Sequence, residues 1–107
     1  MAIYLSNAFS LSMIAHLGHC DLDVTTNICN YQQMVEALKP ISVVGHEDTA
    51  NLFSNILCMD VPMNRVSVTL EKGDILIVGQ YTGPRLPEGT SILPEGASIN
   101  WMCVQVE

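Results

Sequence analysis

Ile41-Ser42-Val43-Val44-Gly45-His46-Glu47-Asp48-Thr49-Ala50-Asn51-Leu52-Phe53-Ser54-Asn55-Ile56-Leu57-Cys58 divides at its glycine. Before Gly45, the β-branched residues Ile41, Val43 and Val44 have the character of a buried strand. After it, Ala50, Phe53, Ser54 and Leu57 recur at helical spacing and give an apolar inner face. Glu47 and Asp48 fall in the first turn, where the helix macrodipole favours acids. The passage predicts a strand over 41–44, a break, and a helix from about His46 to Cys58.

Working outward, Pro40 ends a preceding helix over Tyr31–Leu38, for which Asn30 is a natural cap. Ile3-Tyr4-Leu5 reads as a short buried strand. Ser10 is placed to cap a helix over Leu11–Leu17, with Leu11, Ile14 and Ala15 on one face and Gly18 as its stop. Cys20 to Thr26 alternates as a half-exposed strand does. Downstream, Arg65 to Leu70 alternates through Val66, Val68 and Leu70, Glu71-Lys72-Gly73-Asp74 has turn composition, and Ile75 to Val78 is apolar, so the segment predicts a β-hairpin. Residues 81–90 read as a loop stiffened by Pro84 and Pro87, and Ser98 to Val106 as a last strand. The order β-α-β-α-β-α-β-β-β predicts one layered α/β domain over residues 1–107, a mixed sheet flanked by short helices.

A chain of 107 residues is the size of one domain. With 49% hydrophobic and only 14% charged residues, it has the composition of a folded protein and not of a disordered one. No apolar run approaches the roughly 18 residues of a membrane span, and the first residues lack the basic and apolar parts of a signal peptide. The expectation is a cytoplasmic protein that does not enter a membrane. Its Cys20, Cys29, Cys58 and Cys103 are then reduced, packing as small apolar groups. Charge is the first anomaly. Eleven acids face four bases, Lys39, Arg65, Lys72 and Arg85, for a net charge of −7. Binding a long nucleic acid needs many Lys/Arg–phosphate contacts, which this chain lacks. A compact anion remains within reach if the arginines focus on one pocket, and pairing of two chains would double them.

Four constellations carry chemistry. His46, at the start of a helix beside unpaired N–H groups, can meet a phosphate and exchange a proton near neutrality; it can equally be a polar cap. Arg85, in the proline-flanked loop, offers a planar fork for phosphate, with Glu88 three residues on to orient it; the pair can equally be an exposed ion pair. Asn7, Ser10 and Ser12 follow the first strand, at the edge where α/β sheets bind ligands; helix capping is the plainer reading. His16, His19, Cys20 and Cys29 are zinc-type ligands without a usual zinc spacing, so no metal site is expected. No phosphate-binding Gly-Lys loop, GxGxxG or GxSxG motif is present, and no cofactor is expected.

Four segments together resemble a known family. Ile3-Tyr4-Leu5-Ser6-Asn7-Ala8-Phe9-Ser10, Ser42-Val43-Val44-Gly45-His46-Glu47-Asp48-Thr49, Asn64-Arg65-Val66 and Gln80-Tyr81-Thr82-Gly83-Pro84-Arg85-Leu86-Pro87-Glu88-Gly89 resemble, in order, the motifs of the viral type III anti-CRISPR ring nucleases. The likeness spans essentially the whole chain. It implies a homodimer that binds cyclic tetra-adenylate across its interface and cleaves it without metal, by attack of a ribose 2′-hydroxyl on the adjacent phosphorus. Products are short linear adenylates ending in a 2′,3′-cyclic phosphate, and loss of this messenger silences type III CRISPR defence.

By the same resemblance, the general acid falls on His46, the phosphate-stabilising arginine on Arg65, and the ligand-holding arginine on Arg85 with its acidic partner on Glu88. Ligand contacts fall on Asn7, Ser10 and Gln80, and on Ser12, where relatives carry Asn. Arg65 and Arg85 from two chains would set four arginines against four phosphates. Two other classes of function stay in view: a sponge that binds cyclic oligoadenylate without cutting it, and a protein-binding inhibitor of a defence effector. His46 separates the first from an enzyme; nucleotide binding of any kind separates the second.

Overall fold

In a computed structural model of the chain, the described residues are 1–15, 18, 20–86, 89–90 and 92–107. Strands run over Ile3–Ser6 (β1), Leu22–Thr25 (β2), Ile41–Ser42 (β3), Ile75–Thr82 (β4) and Ser98–Val106 (β5), and helices over Tyr31–Leu38 (α1) and Glu47–Leu57 (α2). The strands form one sheet in the order β2-β5-β4-β1-β3. β1 is parallel to β3 and β4, whereas β5 is antiparallel to β4 and β2. The protein is thus an α/β domain with a mixed sheet.

Alternation along the strands builds a core on each face of this sheet. Leu5 and Ile77 point to one side, where they pack with Val35 of α1, with Ala50, Phe53 and Leu57 of α2, and with Trp101. Leu76, Val78, Val104 and Val106 point to the other, where Ile14 and Leu70 cover them. β1 has strands on both sides, which suits a central parallel strand apolar on both faces. Gly79 lies opposite Trp101 in the β4–β5 ladder. A Cβ added there would stand 2.6 Å from Phe53 Cζ and 2.7 Å from Trp101 Cζ3, so the residue is glycine because two rings occupy the space.

The helix over Tyr31–Leu38 and the strand over Ser98–Val106 fall where the sequence places them. Three other expectations are corrected. In place of a helix over Leu11–Leu17 there is one 3-10 turn, Leu11–Met13, after which Ile14 is extended (φ −83°, ψ 123°) and bridges Leu70. That bridge buries Ile14 on the second core, a contact a continuing helix would forfeit. His16 and Leu17 of the expected helix lie outside the described residues. The strand expected over 41–44 pairs only at Ile41–Ser42. Beyond it Val43 N–H donates to Leu5 O (2.8 Å), and Val44 O accepts from Asn64 N–H (2.8 Å).

The predicted hairpin of 65–70 with 75–78 does not form. Both edges of β4 are taken, by β1 and by β5, and residue 70 instead meets Ile14. The alternation of Val66, Val68 and Leu70 records burial of one side against the second core: Leu70 is buried, Val68 half-buried and Val66 exposed. The turn itself exists. Asp74 N–H donates to Glu71 O (3.0 Å), and the Asp74 carboxylate accepts from Glu71 N–H and, across the chain, from Ala2 N–H, each at 2.9 Å.

Asp74 is buried and joins the turn to the start of β1. Asp74→Ala would strip both amides of this acceptor. It is expected to destabilise the domain by about 1–3 kcal/mol, which a thermal melt would register as a midpoint lower by several degrees. An unchanged midpoint would show that water replaces the carboxylate at no cost.

Candidate functional site

The carboxyl ends of β1, β3 and β4 lie at one edge of the sheet, the edge at which open α/β sheets take their ligands. Three segments leave from it. After β1 comes Asn7, whose Oδ1 accepts from Gly45 N–H at 3.4 Å. After β3 come Gly45, His46 and the N-terminus of α2. After β4 come Gly83, Pro84, Arg85 and Leu86.

His46 holds the N-cap position of α2 in an extended conformation (φ −129°, ψ 132°), and its side chain makes no capping bond. Only its carbonyl serves the helix, accepting from Ala50 N–H at 2.9 Å. The His46 side chain therefore takes no part in capping, and the residue stands exposed at the edge of a cleft. That cleft measures ≈ 930 Å³ and is lined by His46, Glu47, Asp48, Thr49, Tyr81, Gly83, Arg85 and Leu86. It gathers an imidazole, a guanidinium and the amino end of a helix, a set able to hold a phosphate and hand a proton to it.

Arg65 reaches the same junction from the segment after α2. Its Cγ lies 3.6 Å from where a Gly45 Cβ would be, so the side chain crosses the residue before His46. Asn64 fixes its root: Asn64 N–H donates to Val44 O at 2.8 Å, and Asn64 Nδ2 to Ser42 O at 2.9 Å.

The remaining expected residues divide. Ser10 is the N-cap of the 3-10 turn, accepting from Ser12 N–H at 3.3 Å, and the two hydroxyls lie 3.0 Å apart. Ser10 is thus engaged as a cap and Ser12 as its partner, in a segment whose Phe9 and Met13 pack on the second core. Gln80 is exposed, but strand alternation sets it on the face of Leu76 and Val78, opposite Tyr81 and the His46 cleft. Glu88 lies outside the described residues, as do His16 and His19. Among the described residues no three His, Cys, Asp or Glu side chains converge to hold a metal ion. Cys20 packs on the second core. Burial pushes the Cys103 thiol above the ordinary cysteine range, with the nearby Asp23 charge adding to it. No helix among the described residues is long and apolar enough to cross a membrane.

Of the eight lining residues, the sequence marked only His46 and Arg85 as site residues, and Tyr81 and Asp48 are the most informative of the rest. Tyr81 reaches the cleft because β4 runs to Thr82, continuing the inward phase of Ile75, Ile77 and Gly79; that phase was the available signal. Asp48 accepts through Oδ1 from Gly89 N–H at 3.1 Å, tying α2 to the connection between β4 and β5. Nothing in the sequence marks that pairing.

Fold and cleft together define a small mixed-sheet α/β domain with a histidine and an arginine lining one cleft at the carboxyl edge of its parallel strands. The chain belongs to the STIV B116-like family, whose model matches residues 3–96. Its fold is similar to that of B116 of Sulfolobus turreted icosahedral virus, with a TM-score of 0.78 and 24% identity over 98% of this chain and 99% of that one. It is also 41% identical, over 61 residues, to "Uncharacterized protein 26" of Sulfolobus islandicus filamentous virus (isolate Iceland/Hveragerdi). That match takes in 57% of this chain and 51% of the relative, so it spans about half the relative's length. Both relatives are viral proteins.

Proposed function

We propose that the chain is a metal-independent ring nuclease that acts in the host cytoplasm as a homodimer, binding cyclic tetra-adenylate across the dimer interface and opposing type III CRISPR signalling. The observation that carries this reading is the convergence of His46 and Arg85 on one cleft, with the His46 side chain unused by the helix it precedes. The ring-nuclease resemblance of the four motifs supplies the substrate.

The chemistry uses this chain's own groups. A ribose 2′-hydroxyl oxygen attacks the adjacent phosphorus in line, its proton passing to solvent, while the bond from phosphorus to O5′ breaks. His46 gives its proton to O5′ as the leaving group departs. Arg65 and Arg85 take up phosphate charge, and Arg65 does so most strongly in the transition state. By the family resemblance, Glu88 is the acidic partner of Arg85. Asn7, whose Oδ1 accepts from Gly45 N–H beside His46, meets the ring from the end of β1. The products are linear di-adenylates with 2′,3′-cyclic phosphate and 5′-hydroxyl ends, and no water is consumed in forming them.

Equilibrium titration of His46→Ala protein with cyclic tetra-adenylate tests the binding half, because the ligand then stays intact. The expected stoichiometry is one ring per two chains. Absence of binding would overturn the reading in favour of a protein-binding inhibitor.

A further inference from the structure

Arg85 leaves the sheet in a connection that is pinned on either side of it. On the strand side, Gly83 has φ +152° and packs on Ala97, with 2.7 Å between an added Cβ and Ala97 Cβ. Tyr81 OH donates to Pro84 O at 2.5 Å. On the other side, Gly89 N–H donates to the Asp48 carboxylate at 3.1 Å. The partners of this second tie are 41 residues apart in sequence, and it brings the connection down onto the first turn of α2. Arg85 is exposed and lies between them.

A long exposed side chain loses much rotamer and backbone freedom when it closes on a ligand. Ties that hold its backbone beforehand lower that loss. We infer that Asp48 is a positioning residue: its carboxylate holds the Arg85 segment over the His46 cleft in the free protein, so that the guanidinium meets phosphate without an ordering step. This rests on the proposed function for the identity of the ligand, but the tie itself is a property of the free chain. An acid in a pocket for phosphate otherwise opposes binding by like charge. Here its Oδ1 is engaged by Gly89 N–H, and the carboxylate itself stands in the first turn of α2, where the dipole also favours it.

The test is a double-mutant cycle read by two independent measurements. Amide hydrogen exchange in the free protein reports the tie: Gly89 N–H is slow in the parent and fast in Asp48→Ala. Titration of cyclic tetra-adenylate, in a His46→Ala background, reports its use: Asp48→Ala weakens binding about three- to tenfold, the worth of one hydrogen bond. The same change made in Arg85→Ala protein has no further effect, because the two residues act as a unit. Asp48→Asn keeps an acceptor oxygen and loses the charge, so it recovers most of the binding. If Asp48 acted only on the helix dipole, Asp48→Asn would behave as Asp48→Ala, and the inference would fail. It fails equally if Gly89 exchange is unchanged by Asp48→Ala, or if the losses in the two backgrounds are equal. Should the parent bind no cyclic tetra-adenylate while Gly89 exchange still responds, the proposed function is overturned and the tie stands without that ligand.

Discussion

His46→Ala is expected to slow cleavage of cyclic tetra-adenylate by about 10²–10⁴-fold, the range general acid catalysis supplies. Binding is expected to change only a few-fold. The reason is geometric. His46 is exposed at the mouth of the cleft, and its backbone carbonyl, not its side chain, completes the first turn of α2. Alanine keeps that carbonyl and so keeps the helix. The departing O5′ then leaves without a proton donor. Single-turnover rates with thermal melts alongside check both parts, since a fall in rate at an unchanged midpoint isolates the chemistry. A variant that cuts at the parent rate would assign the reaction to positioning alone, which can drive in-line attack by itself.

Trp101→Ala is expected to cost about 3–5 kcal/mol, the usual range for removing a large buried aromatic. Trp101 is 3% exposed and stands where three elements meet. Its ring stacks on Tyr31 of α1 with centroids 4.8 Å apart, and leans on Phe53 of α2 at 4.9 Å. Gly79 of β4 lies flat beneath it. Gly79 has no side chain with which to fill the void, and Phe53 is already fully buried. A domain of this size holds about 5–15 kcal/mol in all, so the thermal midpoint should fall on the order of 20 °C. A fall below about 5 °C would mean that α1 and α2 close over the gap, and that the rings do not set the spacing of helices and sheet.

These two residues also show what the sequence made legible. Gly45 between β-branched residues and a periodic segment placed His46 at a strand–helix junction, and the structure has it there. Asn30 stands at the N-cap position of α1, though its side chain makes no capping bond, and Pro40 follows the helix end because proline acts locally. The 65–70 segment misled because alternation reports which side of a chain is buried, not what pairs with it. The neighbours of β4 are the distant β1 and β5, and no local pattern names them. The 3-10 turn at Leu11–Met13 had the capping serine of a helix, but the bridge from Ile14 to Leu70 stops it, a contact 56 residues away.

At the site, His46 and Arg85 come from separate motifs and line one cleft, while Arg65 passes beside Gly45 next to it. Ser10 caps the 3-10 turn, and its hydroxyl lies 3.0 Å from that of Ser12. Gln80 stands on the far face of β4 from the His46 cleft, so a ligand touching both must fold over the sheet edge. The Asp48–Gly89 tie was invisible, because a backbone amide carries no residue signature.

The most direct test is to incubate the purified chain with cyclic tetra-adenylate in EDTA and resolve the products by chromatography. The account predicts linear di-adenylate ending in 2′,3′-cyclic phosphate. Intact ring after prolonged incubation would contradict it, and ring co-eluting with the protein would then identify a sponge.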